Sequence, residues 1–169
     1  EPPPIDTSVG SGPSRYVNVF VGSDDAVGVA NPVTNGAGGS TFPGAAAPFG
    51  MVQFGPDTPW AIPPGYKYSD TQIVGFSVNH LNGAGCPAQR DFPLTPIVGD
   101  VDPEATLGFD HQHELASPGL YEVQLDSGVT VDLTATQRTG MARFRFPKVR
   151  DVHLLLRSAM PWDLLVAKD

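Results

Sequence analysis

The chain has 169 residues, enough for one compact domain with a sizeable core. Ten Lys and Arg face 18 Asp and Glu, a formal charge of −8, so the surface lacks the cationic excess that neutralises a phosphate backbone, which speaks against a nucleic-acid partner. The one cysteine, Cys86, excludes an internal disulfide, and no stretch approaches the roughly 18 apolar residues of a membrane-spanning helix.

Nineteen Gly and 18 Pro accompany 40% hydrophobic residues, a combination that suits a folded domain with many turns and long loops. Residues 1–15 read as a flexible or extended arm, with Pro2 to Pro4 favouring polyproline geometry. Glu1 to Pro4 lacks the basic start and apolar run of a signal peptide. Tyr16 to Val21, rich in β-branched and aromatic residues, predicts the first strand. From Gly22 to Gly50 the chain is broken by Asn31-Pro32, Asn35-Gly36, Gly38-Gly39 and Pro43-Gly44. That stretch is too long for a plain connector and reads as a functional or a disordered loop.

Short strands are predicted at Met51 to Phe54 and Ile73 to Val78, separated by a Pro-rich loop carrying Trp60, Tyr66 and Tyr68. Leu94 to Val98 is interrupted by Pro96, which predicts an edge or irregular strand. In the second half, Tyr121, Val123 and Leu125 alternate with polar residues, as do Val129, Val131 and Leu133. Asp126-Ser127-Gly128 between them predicts a tight hairpin, with Gly128 supplying the positive φ. Ala142, Phe144 and Phe146 form another alternation, and Val152 to Leu156 starts a further apolar run. Strands with one apolar face each predict an all-β fold, an antiparallel β-sandwich over residues 16–157, leaving 158–169 as an unassigned tail.

Several phrases in order carry a resemblance. Thr41-Phe42-Pro43-Gly44-Ala45 is followed by Pro48-Phe49-Gly50-Met51-Val52-Gln53-Phe54-Gly55-Pro56-Asp57-Thr58, then Gly65-Tyr66-Lys67-Tyr68, then Gly75-Phe76-Ser77-Val78-Asn79-His80-Leu81-Asn82-Gly83-Ala84-Gly85-Cys86. His111 to Tyr121 and Leu133 to Gly140 continue the series. The succession resembles the amino-terminal region of the family 92 glycoside hydrolases, calcium-dependent exo-acting α-mannosidases. The resemblance implies a β-sandwich that packs on a carboxy-terminal helical barrel, with a mannose-containing glycan as substrate between them. It further implies that the catalytic acid and base and most of the calcium ligands lie on that barrel, and that the protein is secreted or at the cell surface, in a bacterium. In that family Gly-Asp commonly follows the Gly-Cys phrase, where this chain has Arg90-Asp91, and small hydroxyl residues commonly stand at Asn79 and Asn82.

His80 follows an apolar strand and precedes a glycine-rich turn in which Gly83 and Gly85 allow close approach of backbone to a ligand. It is read either as a sugar-pocket residue or as a satisfied structural histidine. Cys86 in the same loop is a buried or pocket-lining thiol, since nothing in the sequence provides an oriented base for it. Trp60, Tyr66 and Tyr68 have rings suited to the apolar face of a sugar or to packing. Asp57 and Asp91 are read as turn caps or as acceptors of a sugar hydroxyl. His111 and His113 share a strand face with Glu114 pointing across it. Two imidazoles without a third ligand make a poor zinc site, so hydrogen bonding by His111 and Glu114 is the better reading. Asp24-Asp25 lacks the pattern of a calcium loop. The competing functional class is a non-catalytic carbohydrate-binding β-sandwich module.

Overall fold

Side-chain alternation of period two builds two antiparallel sheets. The computed structural model describes residues 12–24, 39–59, 64–83 and 91–157, with the backbone of 164–167. Its strands are β1 (Ala45–Ala46), β2 (Gln53–Asp57), β3 (Gln72–Ile73), β4 (Gly75–Ser77), β5 (Leu94–Val98), β6 (Leu107–Ser117), β7 (Leu120–Leu125), β8 (Thr130–Ala135), β9 (Gly140–Arg145), β10 (Val152–Arg157) and β11 (Leu164–Ala167). One sheet runs β1-β2-β4-β5-β10-β11 and the other β3-β6-β7-β8-β9.

The core lies between their apolar faces. Ala45, Phe54 and Phe76 from the first sheet meet Ile73, Phe109, Tyr121, Val123, Val131 and Leu133 from the second, all buried. The β7–β8 turn forms as the sequence predicts. Gly128 has φ +82°, its N–H donates to the Leu125 carbonyl at 2.8 Å, and Leu125 N–H donates to Val129 O at 2.8 Å.

Three expectations are corrected. Tyr16 to Val21 is not a strand: Gly12–Tyr16 is a 3-10 helix, and the next residues close turns. Asn18 Oδ1 accepts the Phe20 N–H at 3.0 Å, and Ser23 N–H donates to Phe20 O. A local Asn acceptor here outcompetes the strand propensity of its neighbours. Ile73 to Val78 is not one strand either, because β3 belongs to one sheet and β4 to the other. The chain crosses at Val74, whose N–H donates to Asp57 O and whose carbonyl accepts from Thr95 Oγ1. Finally, β5 is an interior strand. Pro96 is tolerated because β4 meets β5 at Phe76↔Leu94 while β10 pairs along its whole length.

Among the described residues no helix is long and apolar enough to cross a membrane. In the tail region, β11 pairs antiparallel with β10, Leu154 opposite Ala167.

Candidate functional site

The loop that leaves β4 begins with Val78, whose carbonyl accepts the Gln53 N–H from β2. Two residues later the His80 side chain folds back across β2. Its Nδ1 lies 2.9 Å from the Gln53 carbonyl and its Nε2 3.2 Å from Asp57 Oδ1. Phe42 stacks on the imidazole, centroids 4.5 Å apart. Both His80 and Asp57 side chains are closed to solvent. A carbonyl only accepts, so Nδ1 donates there, and Nε2 is turned to the Asp57 carboxyl. Each buried polar group thus has a partner facing it, which is what burial requires.

Gly65 completes this arrangement. Its φ is +77°, and a Cβ there would stand 3.1 Å from Asp57 Oδ1 and 3.2 Å from His80 Cδ2. Only glycine meets both demands. The Gly65 carbonyl accepts from Thr58 N–H, and Lys67 N–H donates to Thr58 Oγ1 at 3.0 Å, so the strand of the Asp57 carboxylate and the Gly65-Tyr66-Lys67 segment are laced together.

The far end of the loop is fastened separately. Asn79 Nδ2 donates to Asp91 Oδ2, and the Asp91 N–H donates to Asn79 Oδ1 at 3.0 Å. One amide thus clasps both the backbone and the carboxylate of a residue twelve positions away. Gly83 N–H donates to Ser40 O at 2.7 Å, tying the loop to the segment before β1.

The sequence-derived site residues separate accordingly. His80 and Asp57 meet in a sealed contact where the chain leaves β4, and Asp57 lies within β2 rather than capping a turn. Asp91 sits at the loop's exit, half-buried beside Asn79. Trp60, Gly85 and Cys86 lie outside the described residues, as do residues 25–38 of the Gly22 to Gly50 loop.

A second polar cluster was only half visible in the sequence. The buried Glu114 carboxylate accepts from Tyr66 Oη at 3.0 Å, Tyr121 Oη at 2.7 Å and His111 Nδ1 at 2.6 Å. Glu114 does not point away from His111: the β6–β7 register shifts between Phe109 and Glu114, and that bulge turns both side chains to one side. His111 stacks on Tyr68 at 4.2 Å. Its pKa is raised: burial opposes the charge, but the hydrogen bond and attraction of Glu114 outweigh it. Burial, then the Glu114 charge, pushes the Tyr66 and Tyr121 hydroxyls well above their ordinary value, so both remain donors.

A concavity of about 530 Å³ lies across β7, β8 and β9, lined by Leu120, Glu122, Thr134, Met141 and Arg143 among others. It includes none of the sequence-derived site residues. Its polar wall is engaged internally, since Asp132 accepts from Arg143 and Arg145, each at 2.7 Å.

No three His, Cys, Asp or Glu side chains among the described residues gather as a metal site. Calcium takes about six to eight oxygens, so the described residues do not fit a calcium centre.

Comparison with known proteins gives a consistent result. Residues 16–163 match the glycosyl hydrolase family 92 N-terminal domain. The GH92 α-mannosidase BT3965 from Bacteroides thetaiotaomicron is 34% identical with a TM-score of 0.73, covering 85% of this chain and 20% of that one; it has also been solved in complex with mannoimidazole. The GH92 inverting mannosidase BT2199 from the same species is 27% identical, TM-score 0.68, over 85% of this chain and 19% of its own. An uncharacterized secreted glycosidase of the fungus Arthroderma benhamiae is 30% identical over 79% of this chain and 17% of its own length. The chain thus spans about a fifth of the proteins it matches.

Proposed function

The chain belongs to the glycosyl hydrolase family 92 N-terminal domain family, and from that premise we propose that it is the amino-terminal β-sandwich of a secreted exo-α-mannosidase. The enzyme releases terminal mannose, α-1,2-linked, from glycans with inversion. The observation that carries this reading is the 34% identity over 85% of the chain to an α-mannosidase of the same fold. Secretion is supported by the fungal relative. Because that relative is fungal and the solved enzymes are bacterial, the likeness does not favour a bacterial source.

Inversion needs an acid that protonates the leaving oxygen and a base that activates water, about 6.5–9.5 Å apart. His80 and Asp57 are in direct contact and sealed, so they do not make such a pair. Their chemistry is positional: they anchor the start of the loop that carries Gly85 and Cys86, while Asn79 and Asp91 close its end. We assign the sugar to this loop, with Trp60, Gly85, Cys86 and Asp91 as contacts and with His80 and Asp57 supporting its start. The acid, the base and calcium belong to a helical barrel contributed by further polypeptide.

Mannobiose hydrolysis by the longer protein and by the rigorously purified 169-residue chain tests the reading. Turnover is expected from the longer protein and only background from the chain. Turnover by the pure chain would overturn the division of labour. Mannose binding without turnover in any longer form would favour a carbohydrate-binding module.

A further inference from the structure

Among the described residues, three that are not glycine adopt a left-handed backbone: Ser40, Phe49 and Phe92, with φ of +51°, +57° and +54°. For a bulky aromatic this conformation is strained and persists only where its surroundings dictate it. Both phenylalanines also project into solvent. Phe49 is fully exposed, Phe92 is 57% exposed and Met51, close to Phe49, is 77% exposed. The turn closed by Gly50 N–H on Ala47 O asks for a positive φ at Phe49, but glycine or asparagine meets that demand at less cost, so the turn explains the conformation and not the exposed aromatic ring.

The topology brings them to one end of the sandwich. Phe49 is at the tip of the β1–β2 hairpin, where Ala46 pairs with Gln53. Gln53 N–H reaches Val78 O, the clasped Asn79 follows, and its partner Asp91 precedes Phe92 at the entry to β5. From β2 through β4 to β5 is two strand spacings, about 10 Å. The hairpin tip is held, because Gly50 N–H donates to Ala47 O and Met51 N–H donates to Gln137 O in the β8–β9 connection, at 2.9 and 2.7 Å. An apolar rim held rigid before contact loses little entropy on binding.

We propose that this rim, with Phe49 and Phe92 as its two anchors and Met51 beside Phe49 in the chain, is the seat on which the remaining polypeptide of the full-length protein packs. The occupant follows from length: the chain is itself 85% covered by solved relatives, yet amounts to only 19–20% of theirs, so four-fifths of such a protein lies outside this domain. The inference rests on the proposed mannosidase reading for its occupant, and on strain and exposure for its location.

Hydroxyl-radical footprinting of the full-length protein tests it, with mannobiose turnover assayed on the same sample. Phe49, Met51 and Phe92 are expected to be labelled at least fivefold more slowly than their exposure here dictates, while Tyr16 and Met141, 70% and 66% exposed, label freely. In a Phe49→Gly/Phe92→Gly variant, which also relieves the strained φ, the protection of Met51 should fall and this domain should unfold in a separate thermal transition. Free labelling of Phe49 overturns the proposal. So does protection that vanishes on dilution, which marks contact between copies, or that appears only with added mannose, which marks a sugar platform. Protection without turnover retains the seat and rejects the mannosidase reading; turnover with free labelling does the reverse.

Discussion

His111 Nδ1 lies 2.6 Å from Glu114 Oε2, a contact that three residues of regular strand would not allow. The bulge between Phe109 and Glu114 makes it possible, and it joins β6 to the Tyr66-Tyr68 segment through one carboxylate. The energetic consequence depends on pH. Glu114 holds the His111 pKa above its ordinary 6.5, so the folded state favours the imidazolium. The stabilisation is fully present below pH 6.5 and is lost as pH rises through the folded-state value. Thermal unfolding followed from pH 6 upward should show the midpoint falling across that window. In His111→Phe, which retains stacking on Tyr68, this part of the slope should disappear.

Replacing the carboxylate tests the cluster from the other side. Glu114→Ala leaves the buried Tyr66 and Tyr121 hydroxyls without their acceptor, at about 1–3 kcal/mol each. Glu114→Gln keeps an oxygen for the tyrosines and turns an amide toward His111, whose neutral ring then accepts. It should recover much of the stability while abolishing the pH dependence. Denaturant unfolding of both variants at two pH values checks this.

What was legible in the sequence follows a physical line. β7, β8, β9 and the turn at Gly128 were readable because each strand has one wet face, which imprints alternation on the chain. β3 and β4 merged into one apparent strand because the crossover at Val74 leaves no polar mark. Tyr16 to Val21 misled because Asn18 captures the backbone locally. The His80–Asp57 and Asn79–Asp91 contacts join residues 23 and 12 positions apart, a distance that no local pattern encodes. The residue types at His80, Asp57 and Asp91 were recognisable as polar singularities in an apolar context, but not their pairing.

His80→Ala should affect both folding and turnover. It removes a buried ring stacked on Phe42 and leaves Asp57 Oδ1 and the Gln53 carbonyl without this donor, for a loss of about 2–4 kcal/mol. In the longer protein, kcat measured well below the shifted melting temperature should fall further than the unfolded fraction explains, because the loop start is no longer held. Normal turnover, or a loss matched by unfolding alone, rejects a functional role for His80.

The Asn79–Asp91 clasp permits a sharper test because its two members can be exchanged. Asn79→Asp sets two carboxylates face to face at the loop's closure and removes the amide donor. Repulsion should open the loop base, lower stability by about 1 kcal/mol and raise KM for mannobiose. In the double variant Asn79→Asp/Asp91→Asn, the carboxylate at 79 again accepts the backbone N–H of residue 91, and the new amide donates back to it. Both hydrogen bonds return with the charge moved across the clasp. If Asp91 serves by closing the loop, stability and KM recover together. If its carboxylate itself accepts a sugar hydroxyl, the exchange restores the melting temperature while KM stays high. Failure of the double variant to restore either quantity would remove the clasp from the account of the site.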